Sequence, residues 1–145
     1  MVAWVNSRWL TRGQAPAHEI AGGVWVGRMP GRNEFRGSQV NVTAEMPVAA
    51  DRHIAMLDLL APGVDQLDMA VRAIQELDGA RPTLVSCALG YSRSAASVAA
   101  WLIATARARS VSDAVEMIRA RRNGIVLGPK YVAALERWAA AKVGR

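Results

Sequence analysis

Apolar positions along this chain follow two rhythms, short near-continuous runs and longer stretches in which they recur every three or four residues. The first pattern, bounded by turn residues, marks buried strands, and the second lays one stripe along a helix. Gly23-Val24-Trp25-Val26-Gly27-Arg28 is such a run, stopped by Pro30 and Gly31, and predicts a first strand. Val40-Asn41-Val42-Thr43 predicts a second. His53-Ile54-Ala55-Met56-Leu57 predicts a third that delivers Asp58 at its carboxyl end, and Thr83-Leu84-Val85-Ser86 a fourth that delivers Cys87. Between the last two, Leu67, Ala70, Val71, Ile74 and Leu77 keep helical spacing after the Pro62-Gly63 break, which predicts a crossover helix.

Three further stripes follow Cys87: Ala95, Val98, Trp101 and Leu102, then Val111, Ala114, Val115 and Ile118, then Tyr131, Leu135 and Trp138. Ser110 can cap the second of these, with Asp113 in its first turn. Residues 1–21 show no regular pattern and are expected to wrap the surface, with Trp4 and Trp9 against the domain. Strands separated by a helix, with reactive residues at strand ends, describe an α/β sheet whose ligands sit at its carboxyl edge.

Composition narrows the choice of function. At 145 residues, 52% hydrophobic and 21% charged, residues 1–145 are expected to form one domain with a real core. The N-terminus lacks the apolar stretch of a signal peptide, and the longest apolar run, Ala95 to Ala106, is too short to span a bilayer. A single cysteine permits no internal disulfide, so a cytoplasmic location without a membrane span is expected. The net charge of +6 attracts acidic partners in general. Its basic residues are spread out, and the one dense group, Arg119, Arg121 and Arg122, ends a predicted helix where cations complement the dipole. No nucleic-acid partner is therefore expected. His18 and His53 have no zinc-like neighbours in sequence, so both are read as ordinary structural or surface residues, with no metal or other cofactor required.

The chemistry concentrates in Cys87-Ala88-Leu89-Gly90-Tyr91-Ser92-Arg93-Ser94. A strand ending in a thiol, a tight loop with an internal Gly and a helix beginning near Arg93 aim backbone N–H groups and a helix N-terminus at one spot beside the sulfur. An anion fits there, bound by the loop residues Ala88, Leu89, Gly90, Tyr91 and Ser92. The same field favours thiolate over thiol. Arg93 can curl back and grip two phosphate oxygens with its planar fork, a geometry Lys lacks. Gly90 is expected to supply a positive φ or a close backbone approach to the phosphate. Ser92 and Ser94 are both candidates to cap the helix.

This stretch resembles the signature loop of the cysteine-dependent protein tyrosine phosphatases, particularly their small dual-specificity branch. Cysteine, five residues, arginine and then serine match, as does Gly90. The segments Gly23–Arg28, Val42–Glu45 and Leu57–Pro62 are similar to those of bacterial dual-specificity phosphatases, including ones fused behind membrane lipid-phosphatase domains. The resemblance covers roughly residues 18 to 140 and implies a small, mostly parallel sheet flanked by helices. It also implies that Cys87 attacks phosphorus and that the Ser94 hydroxyl eases departure of the thiolate. A general-acid aspartate belongs a few tens of residues before the cysteine, and Asp58 matches that place. Asp65 and Asp68 compete for the role, although Asp65 is more simply a first-turn helix residue and Asp68 an exposed helical face. One departure stands out: the family usually places His before the cysteine, and this chain has Ser86.

The expected activity is hydrolysis of phosphate monoesters through a phosphocysteine intermediate, with phosphoprotein as the first substrate and a phospholipid such as a phosphoinositide or phosphatidylglycerophosphate as the alternative. A catalytically weak phosphate-binding module, suggested by Ser86, and sulfur transfer through a persulfide are the rivals.

Overall fold

In a computed structural model, residues 15–46, 49–77, 79 and 81–143 are described. The expectation for Trp4 and Trp9 lies outside them. Five strands, β1 (Ala17–Ala21), β2 (Val24–Arg28), β3 (Ser38–Asn41), β4 (Arg52–His53) and β5 (Thr83–Cys87), form one sheet in the order β1-β2-β5-β3-β4. β1 runs antiparallel to β2 and every other pairing is parallel, so the fold is the expected α/β type with a mostly parallel sheet. The helices are α1 (Val64–Leu77), α2 (Arg93–Ala104), α3 (Val111–Arg121) and α4 (Pro129–Val143).

The strand carrying Cys87 lies at the centre, between β2 and β3, and all five of its residues are buried. Side chains alternate across a strand. Val85 and Cys87 accordingly join the main core beneath the helices, while Leu84 joins a small cluster with Ala17 and Phe35 on the opposite face. α2 is the central helix, with ten of its twelve residues buried. The small side chains Ala95, Ala96, Ser97, Ala99 and Ala100 let it sit close to the sheet and to its neighbouring helices. Ser110 caps α3 as its spacing predicts, accepting from Asp113 N at 3.0 Å.

Three expectations need correction. Residues 17–21 do not merely wrap the surface: they pair with β2 as an edge strand, in a stretch whose polar His18 and Glu19 hide the strand pattern. The third strand is only Arg52–His53, so Asp58 follows an irregular segment rather than a strand end. Ile54 and Met56 still enter the core from that segment, which is why the sequence alternates there as a strand would. Asp68 is no exposed dressing: its Oδ1 accepts from Trp138 Nε1 at 2.8 Å and meets Lys142 Nζ at 2.7 Å, tying α1 to α4.

Candidate active site

β5 ends at Cys87, the chain turns through residues 88–92, and α2 begins at Arg93, so a loop of five residues is folded over the sulfur. Gly90 permits the turn in two ways. Its φ is +75°, and a Cβ there would stand 2.3 Å from Gly27 C and 2.4 Å from Arg28 N. The positive φ is as expected, and the space a side chain would need is taken by the backbone of β2. Among the described residues, none accepts a hydrogen bond from the backbone N–H groups of residues 89–93. Those donors lie at the N-terminus of α2, where the dipole adds positive potential.

A cavity of about 270 Å³ opens over this loop, lined by Asp58, Cys87, Leu89, Tyr91, Arg93 and Val126 together with Ala88 and Ser92. Every residue expected to hold phosphate, except Gly90, lines it, and the aspartate expected to donate a proton stands at the same mouth. Cys87 is buried at its base, with the Ser94 hydroxyl 3.2 Å from Sγ. Asp65 and Asp68 do not line it.

Arg93 is 3% exposed, and its guanidinium is oriented from behind. Its Nη1 and Nη2 donate to the two carboxylate oxygens of Glu45 at 2.7 and 2.6 Å, and Nη1 donates again to Met56 O at 2.9 Å. A guanidinium has five N–H donors in two forks. With the terminal fork and the outer Nη1 proton used, the Nε–Nη2 fork has no hydrogen-bond acceptor among the described residues. Asp58 Oδ1 stands 3.6 Å from Nη2, beyond hydrogen-bond distance. The hydrogen bond from Arg93 is the largest cause that holds the Glu45 carboxyl down at about 2, and the same bond raises the guanidinium of Arg93. Glu45 had no assigned role in the sequence reading. Its only trace there was as the last residue of the Val42–Glu45 segment, similar to one in dual-specificity phosphatases.

Arg122 also departs from its sequence reading. It is 1% exposed rather than a solvated helix-end charge. Nε donates to Gly90 O at 2.9 Å and Nη2 to Leu89 O at 3.3 Å, while Nη1 reaches Ala15 O at 2.8 Å and His18 Nδ1 at 3.0 Å. The guanidinium also lies 5.3 Å from the centre of the Tyr91 ring. The loop is therefore held by its carbonyls, which leaves its N–H groups facing the other way. His18 takes part in this contact and is therefore structural, one of the two roles expected of it. Burial first, and then the charges of Arg122 and Arg121, push its imidazole down to about 4.

Ser86 occupies the place where a His was expected, and alternation turns it to the face away from Cys87. Its hydroxyl donates to Met29 Sδ at 3.7 Å. Ser92 stands at the N-cap position of α2, but its side chain makes no cap bond and donates to Val126 O at 2.7 Å, which anchors the 122–128 loop beside the mouth. His53 Nε2 pairs with Thr43 O, on the segment leading to Glu45.

Residues 37–141 match the family described as dual specificity phosphatase, catalytic domain. The chain belongs to that family. It is a cysteine-dependent phosphatase domain, which sets sulfur transfer aside. Among solved structures, the dual specificity fold recurs in Tk-PTP in its active form, with a TM-score of 0.75, 26% identity, and coverage of 86% of this chain and 97% of that one. PTPMT1 in complex with PI(5)P gives a TM-score of 0.74 and 21% identity, covering 90% of this chain and 98% of that one. A mouse putative dual specificity phosphatase complexed with zinc tungstate gives 0.72 and 23%, covering 89% of each. The last two likenesses are of fold. No curated protein sequence matches the chain. No helix among the described residues is long and apolar enough to cross a membrane.

Proposed function

We propose that this phosphatase works through a phosphocysteine formed on Cys87. The thiolate attacks phosphorus and the ester oxygen leaves, taking a proton from the Asp58 carboxyl. Asp58, now ionised, then accepts a proton from water as the water attacks the phosphocysteine, releasing phosphate and restoring the thiolate. Ser94, 3.2 Å from the sulfur, donates to it as it departs. The loop N–H groups of residues 89–93 and the Nε–Nη2 fork of Arg93 stabilise charge on the equatorial oxygens, where preorganised donors contribute most.

The observation that carries this reading is that Sγ, the unaccepted loop donors and the Arg93 fork share one cavity with Asp58 at its mouth. The anchoring of Arg93 by Glu45 speaks against a merely binding module, because a simple phosphate receptor does not need a guanidinium fixed to one orientation. Phosphoserine, phosphothreonine and phosphotyrosine of a protein are the first substrates of this reading, with a lipid phosphate as the alternative. Turnover of nitrophenyl phosphate by the wild type, and its loss in Cys87→Ser with phosphate binding kept, tests the assignment. Phosphate release by Cys87→Ser at the wild-type rate contradicts it.

A further inference from the structure

Six large apolar side chains among the described residues are at least half exposed: Leu57, Leu59, Leu60, Met69, Leu89 and Val126. Met69 lines a separate cavity with Arg52 and Arg72. The other five stand on three loops that border the mouth over Cys87, namely the Asp58 loop, the Cys87–Arg93 loop and the 122–128 loop. Scattered exposed apolar residues mean little, but a cluster gathered round one polar pocket marks an interaction surface.

Leu59 adds an independent sign. Its φ is +67°, in the region that non-glycine residues rarely enter. Its side chain is 82% exposed, so no packing in the fold offsets that conformation. The turn is fixed by Leu59 N donating to Asp58 Oδ1 at 3.0 Å, which stands the leucine outward beside the aspartate. Strain kept at a functional mouth points to a role there.

The chemistry of the rim selects the partner. Apart from the exposed Asp58 carboxylate, the polar groups named at the rim are engaged within the protein: Val126 N donates to Tyr91 O at 2.8 Å and Ser92 Oγ to Val126 O at 2.7 Å. Around Asp58, what the rim offers outward is five aliphatic side chains, which suit acyl chains better than the polar backbone of an extended peptide. The site at its centre takes a phosphomonoester, and the chain carries +6. Apolar side chains round an anion pocket on a cationic protein match an anionic lipid surface, where aliphatic groups enter the headgroup boundary and charge adds attraction.

We propose that this rim docks on an anionic membrane and presents a lipid phosphomonoester to Cys87. The inference rests on the phosphatase reading above and goes beyond it by fixing where the substrate resides. The test uses the full chain and the variant Leu57→Ser/Leu59→Asn/Leu60→Ser, in which Asn tolerates the left-handed turn. Flotation is measured with vesicles of phosphatidylcholine alone and of phosphatidylcholine with phosphatidylglycerol. Turnover is measured on phosphatidic acid in the mixed vesicles, on a phosphotyrosine peptide and on nitrophenyl phosphate.

The wild type is expected to float with the mixed vesicles, and the variant to lose about tenfold in vesicle affinity and in phosphatidic acid turnover. Nitrophenyl phosphate turnover is expected to stay within about twofold, since these exposed side chains support no core. Equal flotation of the two proteins, or none by the wild type, overturns the proposal. So does a variant that loses peptide turnover while vesicle binding is unchanged, because the rim then docks a polypeptide. Failure of wild-type nitrophenyl phosphate turnover would instead strike the phosphatase reading, and flotation would still decide the rim.

Discussion

Glu45 and Arg93 meet end-on through two hydrogen bonds of 2.7 and 2.6 Å, although 48 residues separate them in the chain. The pair fixes which edge of the guanidinium faces the cavity. Glu45→Gln replaces one acceptor with a donor that opposes the Arg93 N–H groups, so the fork loses its fixed aim. We expect vanadate affinity and kcat/KM to fall about tenfold, with the fold retained. Unchanged vanadate affinity would show that the tether is dispensable. Because Glu45 is held at about 2, below the ordinary range near 4.3, its contribution is complete above that range and is lost only as pH falls toward 2. Any acid limb of the rate profile above about pH 5 therefore belongs to other groups.

Asp58 lines the cavity with a 66% exposed side chain and stands 3.6 Å from Arg93. A proton is needed only when the leaving oxygen is basic. Asp58→Asn should lower kcat/KM, which reports the phosphorylation step alone, by about 10²-fold or more for an alkyl phosphate and much less for nitrophenyl phosphate. Equal losses for both would move the acid elsewhere.

Gly90 and Gly23 both have positive φ, +75° and +82°, yet a Cβ meets the β2 backbone at 2.3 Å in the first case and nothing within 4 Å in the second. Gly23→Ala should cost about 1 kcal/mol from backbone strain alone. Gly90→Ala adds a backbone collision and should cost about 2–4 kcal/mol, with loss of vanadate binding as the loop is displaced. Urea unfolding of the two variants compares them, and similar midpoints would contradict the clamped-loop account.

His18 accepts from Arg122, and Arg122 holds the carbonyls of residues 89 and 90. An imidazole held at about 4 in the fold stays neutral while the unfolded chain takes up a proton near 6.5. Folding stability from this group is thus full above about 6.5 and falls as pH is lowered toward about 4, below which the loss levels off. Thermal midpoints measured across that window should drop for the wild type and stay flatter for His18→Gln. Parallel curves would show that His18 does not carry the effect.

The helices and the central strand were legible because their apolar periodicity is uninterrupted, as in Leu67 to Leu77, and because Cys87 ends an apolar run. The Cys87-to-Arg93 spacing also marked the residues that the fold gathers at one cavity. Glu45 and Arg122 were not legible as site residues. Each works through a contact between distant segments, Glu45 with Arg93 and Arg122 with Gly90, and an exposed-looking charge gives no sign of such a partner. The Asp58 segment misled in another way. Ile54 and Met56 alternate as in a strand because they are buried, yet ladder pairing with β3 stops at His53. Ser86 could be read only as a missing imidazole until alternation along β5 placed its hydroxyl against Met29.

The central claim is a covalent phosphoenzyme on Cys87, and it is tested most directly by acid-quenching Asp58→Asn during turnover of nitrophenyl phosphate and measuring intact and peptide masses. Without Asp58 to activate water, the second step slows and the intermediate accumulates. The account predicts a mass increase of one phosphoryl group, confined to the peptide containing Cys87 and absent from Cys87→Ser. A turning-over enzyme that carries no phosphoryl group at any quench time, or carries it on another residue, would contradict it.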